Sequence, residues 1–345
     1  MANVDQKTPD EKTPAARRLA LGIRRVLLPL ATAVLLGISI CEWFQPDAFA
    51  AVTAIPPFLW LIACAVIGLF GFARATRGEQ FTALAFAILF TGFLVEQPWS
   101  LLRSAGDIVL NRDRIKALHS LRVVTLNCDV GNRAAAEEVV KFGPDVIFLQ
   151  ETPSESDVQQ LAQSLFGKAG GVVWSPDCAI VARGKLQAAQ SKASHFIQAT
   201  LTLEDGQTIE VISLRLCAPV VRYDLWSPGC WTEHTAIRRK QRQEAIAIRE
   251  AIASSPAARP IVIGGDCNAP AGDGALQTWQ PGLGDAFLRA GRGWGGTVLN
   301  RLPLLRFDQL WCNAAVAVIA VSSVRTEHSD HRLVVGEFSV ISQGE

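Results

Sequence analysis

Residues 121–152, LRVVTLNCDVGNRAAAEEVVKFGPDVIFLQET, contain two apolar strands with a helix between them. Leu121–Asn127 is rich in β-branched residues and ends on a polar side chain, which predicts a strand. Residues 133–142 read as helical, and Gly143-Pro144-Asp145 breaks that helix. Val146–Gln150 is a continuous apolar run, as in a strand buried on both faces.

Downstream, residues 154–166 and 235–253 read as helices. Short strand-like runs lie at 171–174, 179–182, 196–203, 209–216, 260–264, 307–311, 316–322 and 333–338. Strands and helices alternate loosely, with several strand pairs. The expected fold is α/β: a four-layer α/β sandwich of two packed mixed β-sheets flanked by helices. No internal repeat is visible.

Upstream, the composition changes at about residue 103. Three apolar stretches precede that point, at 26–41, 48–73 and 81–95. A span needs roughly 20 apolar residues. The second stretch, without a charge, meets this easily; the first and third need their Trp-bearing flanks. Lys12, Arg17, Arg18, Arg24 and Arg25 precede the first stretch, and Arg74 and Arg77 lie between the second and third. The loop at 42–47 has acidic residues and no basic ones. Three spans with positive residues inside put the N-terminus in the cytoplasm and the C-terminal domain on the far side. Arg103, Arg112, Arg114 and Lys116, just after the third stretch, pull against that orientation. The expected organisation is a disordered cytoplasmic arm (1–22), a membrane segment with about three transmembrane helices (23–102), a linker (103–120) and a globular domain (121–345).

The 345-residue chain carries a formal charge of +1. Residues 104–345 hold 24 Lys+Arg and 25 Asp+Glu, which makes that part −1. Such a balance excludes the broad basic footprint of a non-specific duplex binder, though a local patch could survive the averaging. Eight cysteines are present and none forms a C-x-x-C pair, which argues against a zinc knuckle. Cys217 and Cys230 flank a loop and could bridge in an oxidising space; free thiols throughout is the favoured expectation.

Polar residues collect at the ends of the predicted strands. Asn127 ends the first and Glu151 follows the second. Asp266 and Asn268 follow a third, in IVIGGDCNAP. Asp308 begins another, in RFDQLW, and Asp330 and His331 precede the last, in HSDHRLVV. Each alone is an ordinary strand-end or turn residue. Gathered at one sheet edge, they would form an oxygen-rich cavity suited to Mg²⁺ or Mn²⁺. A hard cation with Asp and His is the equipment of phosphoester hydrolysis.

LRVVTLN, DVIFLQE, GGDCN, FDQLW and SDH, in this order, resemble the endonuclease/exonuclease/phosphatase superfamily over roughly residues 119–341. That resemblance implies Glu151 as main metal ligand, with Asn127 beside the metal or phosphate. It implies that Asp266 positions or deprotonates the attacking water and that Asn268 binds the scissile phosphate. Asp308 would orient His331, which contacts a phosphoryl oxygen or moves a proton; Asp330 would support the metal shell. A membrane prefix ahead of such a domain resembles a bacterial subgroup, which implies the inner membrane. The expected partners are the membrane and a phosphoester substrate, either nucleic acid or a phospholipid headgroup.

One position departs from the family pattern. Many members carry a second His at the end of a central strand; here VISLRLCAP places Arg215 there. An arginine cannot serve as a base at neutral pH, but it can bind phosphate oxygens bidentately; a structural ion pair is the equal alternative. His234 and Tyr223 are candidates to replace the missing imidazole, and Trp226 and Trp231 candidates to stack on a base or enter a lipid interface. Arg238, Arg239, Lys240 and Arg242 read as a solvated helix face, with phosphate recruitment second. The competing function is a catalytically degenerate, membrane-tethered binding module on the same fold.

Overall fold

A computed structural model describes residues 14–109, 121–189, 194–254, 259–280 and 282–341. The expected arm up to residue 13 and the linker residues 110–120, with Arg112, Arg114 and Lys116, lie outside the described residues. Two compact bodies emerge. One comprises Met1–Ile40 and Pro57–Val95; the other comprises Cys41–Pro56 and Glu96–Glu345.

The first body contains most of helix α1 (Pro14–Phe44), with α3 (Pro57–Phe72) and α4 (Arg77–Leu94). Helix α1 already starts at Pro14, inside the segment expected to be a disordered arm. Arg25–Phe44 is long and apolar enough to cross a membrane. The second apolar stretch, 48–73, passes as a span only as a broken pair of helices. Pro56 and Pro57 interrupt it, because proline disfavours the helical conformation before it and lacks the N–H that a continuing helix needs. The short helix α2 (Ala50–Thr53) is left on the other side of the break. Among the described residues, one helix is long and apolar enough to cross a membrane, or up to three if each broken pair counts as a span.

The second body contains two sheets. Among the described residues, one has seven strands in the order β10 (Gly291–Arg292), β12 (Val316–Val324), β13 (Leu333–Val340), β1 (Leu121–Asn127), β2 (Val146–Gln150), β4 (Cys178–Arg183), β3 (Gly170–Trp174), and the other six in the order β5 (Lys185–Ala188), β6 (Phe196–Thr202), β7 (Thr208–Arg215), β8 (Ile261–Asp266), β11 (Asp308–Cys312), β9 (Gly284–Asp285). The strands that build the site are β1 (Leu121–Asn127), β2 (Val146–Gln150), β7 (Thr208–Arg215), β8 (Ile261–Asp266), β11 (Asp308–Cys312) and β13 (Leu333–Val340). Both sheets are mixed: β1 runs parallel to β2 and antiparallel to β13, and β8 runs parallel to β7 and antiparallel to β11.

The apolar run of β2 follows from burial on both faces. Val146 and Phe148 enter the core between the sheets with Val123, Val211, Val262 and Leu310. Ile147 and Leu149 face the other way, under α6 (Arg133–Glu137) and α7 (Glu155–Phe166). Helix α8 (Pro228–Ala253) covers the outside of the second sheet through Ala245 and Ile248, which pack with Ile212, Leu214 and Ile263. The order helix, sheet, sheet, helix is that of the expected sandwich. Gly264 is required by this packing, since a Cβ there would enter the Phe148 ring.

Cys41–Pro56 and Glu96–Val109 are built into this body. Arg242 donates to both Asp47 carboxylate oxygens, at 2.6 and 2.9 Å. Arg238, 2% exposed, bonds Asp273 and the Thr53 hydroxyl. Arg306 is held between Glu96 at 2.7 Å and Asp285 at 2.8 Å. Arg103 on α5 (Gln97–Val109) donates to the carbonyls of Gly291 and Phe287. Of the basic residues at the start of α8, Arg238 and Arg242 are thus consumed by ion pairs, whereas Arg239 and Lys240 stay exposed as expected. All eight cysteines are free thiols, so Cys217 and Cys230 do not bridge.

Candidate active site

Strand directions bring the polar ends together. β1, β2, β7 and β8 finish at the same edge, and the antiparallel strand β11 begins there, with Asp308 directly opposite Asp266 in register. Arg215 is the partner of Asp266 on the other flank. β13 is antiparallel to β1, so the residues preceding it, Asp330 and His331, arrive at the end of β1.

Asn127 joins the two sheets. Its Nδ2 donates to Glu151 Oε1 and to Asp266 Oδ2, each at 3.1 Å. Its Oδ1 accepts from the Asp129 N–H, so the NH₂ group is the side turned to the carboxylates. Glu151 sits at φ +47, a left-handed conformation uncommon for its residue type. Two backbone bonds hold it there: its N–H donates to Asp177 O, and its carbonyl accepts from Gly131. Its Oε2 accepts from the Val130 N–H, and Arg215 Nη2 donates to Oε1 at 2.7 Å. Burial opposes ionisation of Glu151, but Asn127, the Val130 N–H and Arg215 outweigh it and hold the carboxyl below its ordinary range.

Asp266, Asp308 and His331 form the buried half of the site, with one ligand atom from each lying within 4.8 Å of the others. His331 Nδ1 is 2.8 Å from Asp308 Oδ2. Burial disfavours an imidazolium, yet Asp308 foremost, then Asp266 and Asp330, push the His331 pKa up to about 10. An imidazolium has no lone pair for a metal, so the triad's compactness describes a hydrogen-bonded charge network better than three ligands. Burial and the neighbouring Asp308 push Asp266 up to about 6, against His331, the Asn268 N–H and Asn127. Gly265, at φ +155 and tight against the Leu214 carbonyl, admits no side chain at the residue before Asp266.

The remaining predicted residues lie nearby. Asn268, at φ +49, donates its N–H to Asp266 Oδ1 and its Nδ2 to Leu216 O. Asp330 is at the rim, its side chain 68% exposed and Oδ1 3.9 Å from His331 Nε2. His234 is not a replacement imidazole here: it bonds the Arg222 carbonyl and lies on α8 beside Tyr223. Trp231 packs edge-on against Phe49 and bonds Leu225 O, whereas Trp226 is 87% exposed.

Several supporting residues escaped the sequence reading. Thr297 Oγ1 accepts from the Asp308 N–H, and Ser329 Oγ accepts from the His331 N–H. Thr125, Gln150 and Ser213 form a buried hydrogen-bonded chain between the sheets. Their signal was a polar residue inside an otherwise apolar strand. Asp177, 3.4 Å from Arg215 Nη1, had no such signal.

The family's sequence profile matches residues 124–331, from β1 through His331. The chain belongs to the endonuclease/exonuclease/phosphatase family. It is accordingly a phosphoester hydrolase. Among solved structures of this fold, the family member from Bacteroides vulgatus aligns at TM-score 0.51 and 15% identity, covering 64% of this chain and 99% of that one. The member from Bacteroides thetaiotaomicron aligns at TM-score 0.50 and 13% identity, covering 64% and 98%. A functionally unknown conserved protein from Enterococcus faecalis aligns at TM-score 0.50 and 15% identity, covering 64% and 100%. These identities speak for the fold alone. No curated protein matches the chain significantly in sequence.

The donor set of this family site fits a divalent metal. Carboxylates of Glu151 and Asp266 converge on one Asn127 nitrogen, and Asp308 Oδ1 is buried with no hydrogen-bond partner among the described residues. A donor set made of carboxylate oxygens suits a hard cation over a soft one.

Proposed function

We propose that this chain is a membrane-anchored phosphoesterase that uses Mg²⁺ or Mn²⁺ and attacks a phosphodiester or phosphomonoester with water. The observation that supports this most is the Asn127 bridge, which sets Glu151 and Asp266 of opposite sheets at one point beside His331. Glu151 would hold the cation, with Asn127 beside it and Asp330 at the rim. When bound, the cation supplies charge neutralisation at the phosphoryl oxygens. Asp266, raised to about 6 by burial and the neighbouring Asp308, orients and deprotonates the attacking water. Asn268 holds the scissile phosphate. Asp308 keeps His331 protonated and aimed at a phosphoryl oxygen or the leaving group. Arg215 adds a fixed positive charge where other members place an imidazole. Nucleic-acid strands and phospholipid headgroups are the two substrate classes.

The anchoring has its own support. Cys41–Pro56 and Glu96–Val109 both belong to the catalytic body, so the chain from 57 to 95 departs from it and returns. Arg74 and Arg77 lie between α3 and α4, and Arg17, Arg18, Arg24 and Arg25 precede or open the first apolar stretch. With basic residues inside and three crossings, the catalytic domain would lie outside the cytoplasm. Arg103, which pulled against that orientation, is engaged with Gly291 and Phe287. Protease added to intact cells should cleave the catalytic domain; protection until lysis would reverse the orientation.

The activity is tested on the full chain in detergent with bis(p-nitrophenyl) phosphate. Turnover should need Mg²⁺ or Mn²⁺, stop with EDTA, and be lost in Glu151→Ala and Asp266→Asn. The binding-module alternative is favoured by one observation, that Arg215 already neutralises Glu151. Absence of turnover across a broad phosphoester panel would establish it.

A further inference from the structure

Beside the catalytic cluster lies an open groove of about 1060 Å³. Asp129 and Asp330 contribute to its lining, together with Leu299, Arg301, Leu302 and Arg325. Its walls are fixed without any ligand. Asn300 Nδ2 donates to the carbonyls of Thr326 and Ser329, each at 2.8 Å, and the Asn300 N–H donates to Asp330 O at 2.9 Å. Arg332 Nε closes the stitch on Asn300 O at 2.9 Å. The same wall meets the catalytic residues directly, since Val298 and His331 form a β-bridge.

The arginines of this body divide into those paired with carboxylates and those that are not, Arg103 and Arg332 among the latter bonding backbone carbonyls instead. Arg215, Arg222, Arg238, Arg242, Arg259 and Arg306 all have carboxylate partners. Among the described residues, no carboxylate within ion-pair distance answers Arg301 or Arg325, both of which are exposed. The lining acid Glu327 is also exposed and forms no ion pair with either. Leu299 and Leu302, 57% and 64% exposed, give the groove an apolar strip. A guanidinium free of internal partners is suited to a bidentate contact with a phosphate, and apolar side chains next to it can carry the carbon skeleton joining two phosphates.

We propose that Arg301 and Arg325 bind a second phosphoryl group of the substrate, so that the preferred substrates carry a phosphate in addition to the scissile one. This rests on the phosphoesterase reading and deepens it. The second phosphate can come from a nucleotide chain or from a phosphorylated lipid headgroup, and the test separates the two.

The full chain in detergent, with Mn²⁺, is given the p-nitrophenyl ester of thymidine 5′-phosphate with and without a 3′-phosphate. A parallel pair is glycerophosphoinositol with and without a 4-phosphate. In at least one pair kcat/KM should be about tenfold or more higher for the doubly phosphorylated member, roughly 1.4 kcal/mol. The double variant Arg301→Ala, Arg325→Ala should bring that ratio close to one. The pair that shows the effect identifies the source. Equal rates within both pairs, or a ratio that survives in the variant, overturns the proposal. Calorimetry of thymidine 3′,5′-bisphosphate against thymidine 5′-phosphate, and of the two inositol compounds, gives the same comparison without turnover. If nothing is cleaved, the phosphoesterase reading fails by itself; second-phosphate recognition then stands or falls on whether the bisphosphorylated ligands bind tighter and lose that advantage in the variant.

Discussion

Arg215 donates to the same oxygen of Glu151, Oε1, that accepts from Asn127, so an arginine and an amide share one carboxylate atom at the heart of the site. The guanidinium compensates Glu151, and in the proposed reaction it would also supply positive charge to the phosphate. These roles oppose one another in what they do to a metal.

Arg215→Ala should therefore separate binding from turnover. With its competitor gone, Glu151 should take Mn²⁺ more tightly, while kcat falls by about 100-fold or more for loss of a preorganised donor. Metal titration by calorimetry and steady-state kinetics on one preparation read both. Weaker Mn²⁺ binding in the variant would mean that Arg215 supports the metal site instead of opposing it.

Asp308→Asn should reduce kcat by on the order of 10²–10⁴-fold, the range of a lost acid–base partner, with a smaller effect on KM. The amide cannot hold His331 as an imidazolium. The pH–rate profile should lose its alkaline limb or shift it downward; an unchanged profile would remove His331 from proton transfer.

The metal-free protein should lose stability as pH rises. The folded-state pKa of His331, about 10, lies above its ordinary unfolded value near 6.5, so its stabilisation is complete below about 6.5 and disappears as pH climbs through about 10. Asp266 acts in the same direction at lower pH, since the folded state keeps a proton up to about 6 that the unfolded state releases near 3.8. Melting in EDTA should show a slope between pH 6.5 and 10 that is reduced in His331→Gln. Equal slopes in the two proteins would refute the assignment.

Arg306→Ala should cost about 3–5 kcal/mol, the usual penalty for breaking a buried ion pair from one side. It leaves Asp285, whose side chain is 2% exposed, without its cation. Denaturant titration of the full chain reads the loss, and the Arg306→Lys variant should recover only part of it.

Much of this fold was legible because burial on both faces writes itself into the sequence. The bounds of β1 and β2 follow from Leu121–Asn127 and Val146–Gln150, whose side chains have apolar cover above and below. Strand β5 (Lys185–Ala188) was not legible, since an exposed edge with a Lys and a Gln carries no such signal. Helix α8 begins at Pro228, seven residues before the expected Thr235. Proline suits the first helical turn, and the aromatic run before it concealed that start. In the site, the residue types at strand ends were visible, but register was not. Nothing local says that Asp266 and Asp308 face each other across a ladder, or that Arg215 reaches Glu151. The ion pairs of Asp47 and Glu96 were the least visible of all. They join residues about 190–210 positions apart in the chain, and a basic helix start resembles a solvated face until its partners are placed.

Those same pairs limit how the protein can be rearranged by evolution or by engineering. Asp47, Thr53 and Glu96 sit among or beside the apolar segments, yet their partners Arg242, Arg238 and Arg306 belong to the folded body, and Arg306 is two residues from Asp308. A foreign anchor spliced ahead of residue 104 would bring none of these three side chains. The apolar segments and the folded body are thus one heritable unit: a functional chimera must import matching acids along with its hydrophobic helices, and cutting the sequence away ahead of residue 104 strips counter-charge from beside the strand that carries Asp308.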